Sequence, residues 1–256
     1  MESLLEVLNK VHTPAAVVIR HGARYPGVDL ENEMSIGLTE TGMVDSRMVG
    51  ENLKRFSSVR LFHSPALRCR QTAECIAEGL KSNNINVASI EQRSSLCAPY
   101  VKDQRVMEEV SKLGHDFISE WFNSNLNSEW IYNVKDSVKM IAGPVLKSLS
   151  EIEEGSLDIH ISHDWDISLM WKELAGVDYR NVGWPGYLSG IVFTIIIILL
   201  FVFTFRYLRK KPISPTAPSQ VPQAPDELPT VETSQPEPLL IHCPACGTEI
   251  SRYAPS

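Results

Sequence analysis

The stretch Ala15-Ala16-Val17-Val18-Ile19-Arg20-His21-Gly22-Ala23-Arg24-Tyr25-Pro26 decides how the rest of the chain is read. Its first five residues are small or β-branched and apolar without a break, which predicts a strand buried on both faces. Strands of that kind belong to mainly parallel sheets covered by helices, whose ligands sit beyond the carboxyl ends of the strands. Arg20, His21 and Arg24 follow at that end. A lone histidine after a strand is more often structural. Two flanking arginines change the reading, because planar guanidiniums match the oxygens of a phosphoryl dianion with paired hydrogen bonds. To act as a nucleophile, His21 must be neutral at the attacking nitrogen, with an acceptor fixing the proton on the other. Gly22 would let the backbone approach the anion.

Working outward, further strands are predicted at residues 59–62, 86–90 and 157–161, with helices at 40–56, 68–81, 104–123, 135–150 and 166–175. Thr39 is the expected N-cap of the first of these helices. Strands alternating with helices imply an α/β, three-layer domain with a mainly parallel sheet flanked by helices, over residues 1–187. With 256 residues and 43% hydrophobic content, the chain can bury one sizeable core and have sequence left over.

Two more motifs fall at strand ends. Ser64-Pro65-Ala66-Leu67-Arg68-Cys69-Arg70-Gln71-Thr72-Ala73 opens a helix, so Arg68 sits where the helix terminus itself favours an anion. Arg70, two positions on, points elsewhere. Ile161-Ser162-His163-Asp164-Trp165-Asp166 follows the last predicted strand. His163 could donate to a phosphate, and Asp164 could protonate a leaving oxygen as a general acid. Either Asp164 or Asp166 would serve equally well as a helix N-cap.

Together these segments resemble the histidine phosphatase superfamily over residues 14–187. Leu38-Thr39-Glu40-Thr41-Gly42 is similar to a turn of its phosphoglycerate-mutase-like branch. The resemblance implies the phosphoglycerate-mutase-like fold, His21 as phosphate acceptor, and Arg20, Arg24, Arg68 and His163 as the phosphate pocket. The Arg-His-Gly-Ala-Arg-Tyr-Pro run and His163-Asp164 are similar to the acid-phosphatase branch, which makes Asp164 the proton donor. The short domain resembles the mutase-like branch, whose acid is a glutamate between the second and third motifs. Glu91 and Asp103 are the alternatives on that pattern, and Asp164 is preferred. The implied chemistry is hydrolysis of a phosphomonoester or phosphohistidine through a phosphohistidine intermediate, with no cofactor for catalysis.

Beyond the domain the composition changes. Residues 188–205 carry no charge and end in Arg206, Arg209, Lys210 and Lys211, so 188–208, about 31 Å long as a helix, is expected to cross a bilayer as one transmembrane helix. The conflict is that 188–193 also resembles the last strand of such phosphatase domains. Residues 209–238 form a basic stop and then a linker holding half of the chain's sixteen prolines, expected to be disordered. In the tail, 239–256, Cys243 and Cys246 form a Cys-x-x-Cys pair similar to half a zinc ribbon; zinc is the metal such a pair would take, although a structural site needs four ligands. Cys69, Cys75 and Cys97 lack disulfide spacing and are expected to be free thiols of a reducing compartment.

A net charge of −7 excludes nucleic acid as the main partner. The expected partners are a phosphorylated small molecule or phosphoprotein and the lipid bilayer, with the phosphatase domain on the cytoplasmic side of a single-pass membrane protein. Other functions open to this sequence are a mutase that returns the phosphoryl group, and a membrane-tethered scaffold that binds phosphate without turnover.

Overall fold

The computed structural model describes residues 4–11, 14–26, 32–194, 240–242 and 249–251. In chain order the elements are α1 (Leu4–Lys10), β1 (Ala15–Arg20), α2 (Glu40–Asn52), β2 (Ser58–His63), α3 (Leu67–Ser82), β3 (Asn86–Gln92), α4 (Val106–Leu113) and α5 (Phe117–Phe122). They continue with α6 (Val134–Ser150), β4 (Ser156–Ser162), α7 (Asp164–Ala175), α8 (Tyr179–Val182) and β5 (Gly190–Thr194). Short 3-10 turns lie at Glu33–Ser35, Ser94–Leu96 and Gly114–Asp116.

The sheet order is β3-β2-β4-β1-β5, with β3, β2, β4 and β1 parallel and β5 antiparallel to β1. Alternation along β1 divides the interior into two layers. Ala15, Val17 and Ile19 join the core shared with α2 and α3, and Ala16 and Val18 the core shared with α5, α6 and α7. Strand β4 does the same with polar residues on one side: Asp158, His160 and Ser162 are buried on the α6 and α7 side. Asp158 is held there by Arg60, at 2.7 and 2.8 Å, and by the Ser148 hydroxyl. This is the expected three-layer α/β domain, and it places the ends of β1, β2 and β4 side by side.

Helix ends follow local chemistry. Thr39 caps α2 as expected, its hydroxyl accepting from the Gly42 N–H at 3.0 Å. The helix predicted over 104–123 is instead two, α4 and α5. Gly114 between them has φ +52°, a left-handed conformation that no helix can carry through. Helices α2 and α3 cross closely. A methyl on Gly50 would overlap the Ile76 carbonyl oxygen, and one on Gly79 that of Arg47.

Residues 188–194 correct the expected boundary of the membrane segment. Gly190–Thr194 is the sheet's fifth strand, in register from Ile19↔Gly190 to Ala15↔Thr194. Phe193, 7% exposed, completes one core, while Val192 packs on the other. Among the described residues no helix is long and apolar enough to cross a membrane. What remains of the expected span, and the linker at 209–238, lies outside the described residues. So do Cys243 and Cys246, although the flanking strands β6 (Leu240–His242) and β7 (Glu249–Ser251) pair antiparallel. Cys69, Cys75 and Cys97 are free thiols.

The crossing of α2 and α3 yields a stability prediction. Gly79→Ala must push the two helices apart, so unfolding in guanidinium chloride should shift to lower denaturant, a loss of about 1–3 kcal/mol.

Candidate active site

Each of the three motifs emerges where a parallel strand ends. His21 follows β1, Ser64 follows β2 and opens α3, and His163 follows β4 and precedes α7. The backbone ties them together, since the His21 and Ser64 N–H groups donate to the Ser162 and Ile161 carbonyls of β4. Gly22 has a structural reason beyond the one expected: a Cβ there would overlap Ser46 and the Gly42 carbonyl of α2.

His21 is 2% exposed. Its Nδ1 faces the Gly22 carbonyl oxygen at 2.8 Å, so Nδ1 carries the proton and Nε2 is left as the lone-pair nitrogen. The Arg68 Nε–H donates to that lone pair at 3.1 Å. His163 is arranged in complement: its Nε2 donates to the Ser64 hydroxyl at 2.9 Å, and its Nδ1 accepts from an Arg68 terminal nitrogen at 3.1 Å. One guanidinium therefore spans two neutral imidazoles whose centroids are 5.7 Å apart. Burial pushes His21 down from 6.5 to about 2 and His163 to about 3, with the neighbouring cations adding to both shifts.

Glu33 completes the arginine arrangement. Its carboxylate meets Arg24 at 3.1 Å and Arg68 at 3.3 Å, and its backbone oxygen accepts from Arg68 at 2.6 Å. Arg20 turns the other way. It pairs with the Asp164 carboxylate at 2.9 Å, donates to the Pro185 carbonyl at 2.6 Å, and lies 4.3 Å over the Tyr187 ring. Its buried Nε has no protein partner. The Asp164 carboxylate also accepts from the Trp184 indole at 3.1 Å and from the Trp165 N–H at 3.0 Å.

The sequence profile of the Histidine phosphatase superfamily (branch 1) matches residues 16–178. The chain belongs to that superfamily. Among solved structures it is similar to YhfR of Bacillus stearothermophilus, at 16% identity over 69% of this chain and 87% of that one, TM-score 0.47. A phosphoserine phosphatase from Entamoeba histolytica is 15% identical over 72% of this chain and 92% of that one, TM-score 0.48. A mycobacterial glucosyl-3-phosphoglycerate phosphatase is 16% identical over 70% and 89%, TM-score 0.46. No curated protein matches the chain. The family assignment rests on the sequence profile alone, and it supports phosphatase or phosphotransferase activity.

This member of the superfamily brings together His21, Arg68, His163, Arg24, Arg20 and Asp164. It leaves out both alternative acids. Glu91 is exposed on the edge strand β3, and Asp103 is bound to Arg105 at 2.7 Å, which holds its carboxyl down at about 2. Arg70 is exposed and faces Glu74. Asp166 is not an N-cap: it is fully buried, bonded to the Tyr100 and Ser162 hydroxyls, and burial raises it to about 7. Sequence reasoning missed Glu33, Ser64, Trp184 and Tyr187, whose ring lies 5.9 Å from that of His21. Only Ser64 carried a signal, its place at the head of the second motif. Among the described residues no group of acidic, histidine and cysteine side chains could hold a metal ion.

Buried ionisable groups make the fold acid-sensitive. His21, His163 and His160, the last also at about 3, stay neutral in the folded chain while the unfolded chain takes up protons below 6.5. Each then costs up to about 1.4 kcal/mol per pH unit. Asp166 has the opposite sign between its ordinary 3.8 and about 7, and cancels one histidine. Stability should fall from pH 6.5 towards 4 with a slope near two protons, and His160→Phe should remove about one of them in pH-dependent urea unfolding.

Proposed function

We propose that the protein is a phosphohydrolase that works through a phosphohistidine on His21, acting on a phosphomonoester or on phosphohistidine. The observation that carries this reading is the state of His21. Its Nε2 is deprotonated, its tautomer is set by the Gly22 carbonyl, and the cation facing it is Arg68. In the first step the Nε2 lone pair attacks phosphorus in line, the bond from phosphorus to the leaving atom breaks (P–O in a phosphomonoester, P–N in phosphohistidine), and that oxygen or nitrogen takes a proton from the acid. In the second step water attacks the phosphorus of the phosphohistidine, the P–N bond breaks, and His21 is restored with inorganic phosphate released. Arg20, Arg24, Arg68 and His163 carry the charge on the phosphoryl oxygens, and the partnerless Arg20 Nε is one donor open to them. Asp164 is the preferred proton carrier. Its support is position: it is paired with Arg20 at the pocket, where Glu91 and Asp103 are not.

Bilayer attachment belongs to the same reading, in a form shortened by β5. Residues 195–203 are apolar throughout and lead to Arg206, Arg209, Lys210 and Lys211. As a helix, 195–208 would be about 21 Å long against a hydrocarbon core of about 30 Å, so insertion beside basic residues at the headgroups suits it better than a full span. The phosphatase domain is assigned to the cytoplasmic side, where the basic cluster and the free thiols are at home.

Turnover of p-nitrophenyl phosphate by the full chain tests the enzyme. His21→Ala should reduce kcat by about 10³-fold or more, and equal rates for the two proteins would exclude phosphatase activity at His21. Asp164→Asn should cost an alkyl phosphate about 10²-fold or more in kcat and the aryl phosphate much less, because only the poorer leaving group depends on the proton. A uniform loss would remove Asp164 from the role of acid.

A further inference from the structure

The arginines that are to receive a phosphoryl group are already engaged by an anion. The Glu33 carboxylate reaches Arg24 through one oxygen at 3.1 Å and Arg68 through the other at 3.3 Å. A carboxylate bridging two guanidiniums presents oxygens as two oxygens of a phosphate would, by the same planar hydrogen-bond geometry. Glu33 enters the site from the short turn Glu33–Ser35 and is not part of any of the three motifs. Its side chain is 29% exposed, so it has a route outward that the buried Arg68 lacks. Two neutral imidazoles and three guanidiniums against Glu33 and Asp164 leave one net positive charge. A phosphoryl dianion arriving beside a retained Glu33 would turn that balance negative.

We propose that Glu33 is an internal competitor for the phosphate position, setting the pocket's affinity for phosphoryl anions by holding Arg24 and Arg68 until substrate displaces its carboxylate. The proposal rests on the reading that these arginines bind the phosphoryl group. Displacement also frees Arg68 from Glu33 as it moves from the His21 lone pair to the incoming oxygens. The bound state is then reached only by the fraction of molecules in which Glu33 has let go, and the apparent dissociation constant rises by the inverse of that fraction. The consequence is a pocket that releases its product phosphate readily, and that discriminates against anions too weakly charged to displace a carboxylate.

The test is calorimetric titration of inorganic phosphate into the full-length wild type, Glu33→Gln and Glu33→Ala, with thermal melts confirming that each is folded. Glu33→Gln keeps the size and removes the charge; Glu33→Ala removes the arm. Both variants should bind phosphate about tenfold tighter or more, and the KM for p-nitrophenyl phosphate should fall in parallel. Unchanged or weaker phosphate binding in the folded variants would overturn the proposal, and would make Glu33 a support for the two arginines. A large loss of kcat with phosphate affinity unchanged would also overturn it, by making Glu33 a proton donor. If wild type binds phosphate but turns over neither a phosphomonoester nor phosphohistidine, the enzyme reading fails and the affinity comparison still decides this one. If neither wild type nor the variants bind phosphate at millimolar concentration, both readings fall.

Discussion

Everything at the site depends on one buried guanidinium. Arg68 is 5% exposed and donates to the lone pair of His21 on one side and of His163 on the other. Each contact requires a neutral imidazole with its proton on the opposite nitrogen. The Gly22 carbonyl and the Ser64 hydroxyl are placed to take those protons. A buried cation between two rings that could themselves be charged works in one direction only: desolvation and repulsion both favour neutral histidine. The protonation state of His21 is therefore a property of packing, fixed before any ligand arrives.

That packing is in turn a property of parallel strands. The Ser162 carbonyl at the end of β4 receives the His21 N–H, and the Ile161 carbonyl receives that of Ser64, so the ends of β1 and β2 are both registered on β4. Helix α3 then starts within four residues of Ser64 and carries Arg68 on its first turn, facing the strands through Cys69, Thr72 and Ala73. Thr72 closes the arrangement by accepting from the Gly22 N–H at 3.0 Å. Beneath the pocket, Asp166 with Tyr100 and Ser162 forms a buried polar layer. The Tyr100 hydroxyl donates to one carboxylate oxygen and the Ser162 hydroxyl to the other, and the Ser162 hydroxyl also lies 3.2 Å from the Leu96 carbonyl oxygen. No residue of the site is held by its own element alone.

The sequence revealed the parts that repeat with a period or sit at a strand end. Short runs rich in β-branched and aliphatic residues, unbroken only at 15–19, predicted four of the five strands in the main sheet, and the candidate site residues followed because each of the three motifs lies directly after one. Glu33 had no such marker, since a turn of three residues has no periodicity and its carboxylate reaches the arginines only through tertiary folding. Trp184 and Tyr187 were likewise invisible, being the last residues before what looked like a different kind of structure. The fifth strand was obscured by its neighbour: an apolar strand and a bilayer segment share a composition, and the run from 190 to 203 is interrupted only weakly, by Gly190 and Thr194. Gly190 lies where any Cβ would overlap the Val18 carbonyl oxygen, but glycine also serves close backbone approach between membrane helices, so its presence did not separate the two readings.

Strand β5 also settles a question of direction. It is the one antiparallel member of the main sheet, starting opposite Ile19, next to the pocket, and ending opposite Ala15, at the far end of β1. Immediately before it, the Ser189 carbonyl accepts from the Arg20 N–H and the Leu188 N–H donates to the Arg20 carbonyl, so the segment carrying Trp184 and Tyr187 is clamped to the end of β1 that carries His21. The chain thus closes one wall of the pocket and then travels the length of the sheet before leaving at Thr194. A parallel final strand would end beside His21; the antiparallel one ends with Thr194 opposite Ala15, at the pole of β1 away from the pocket.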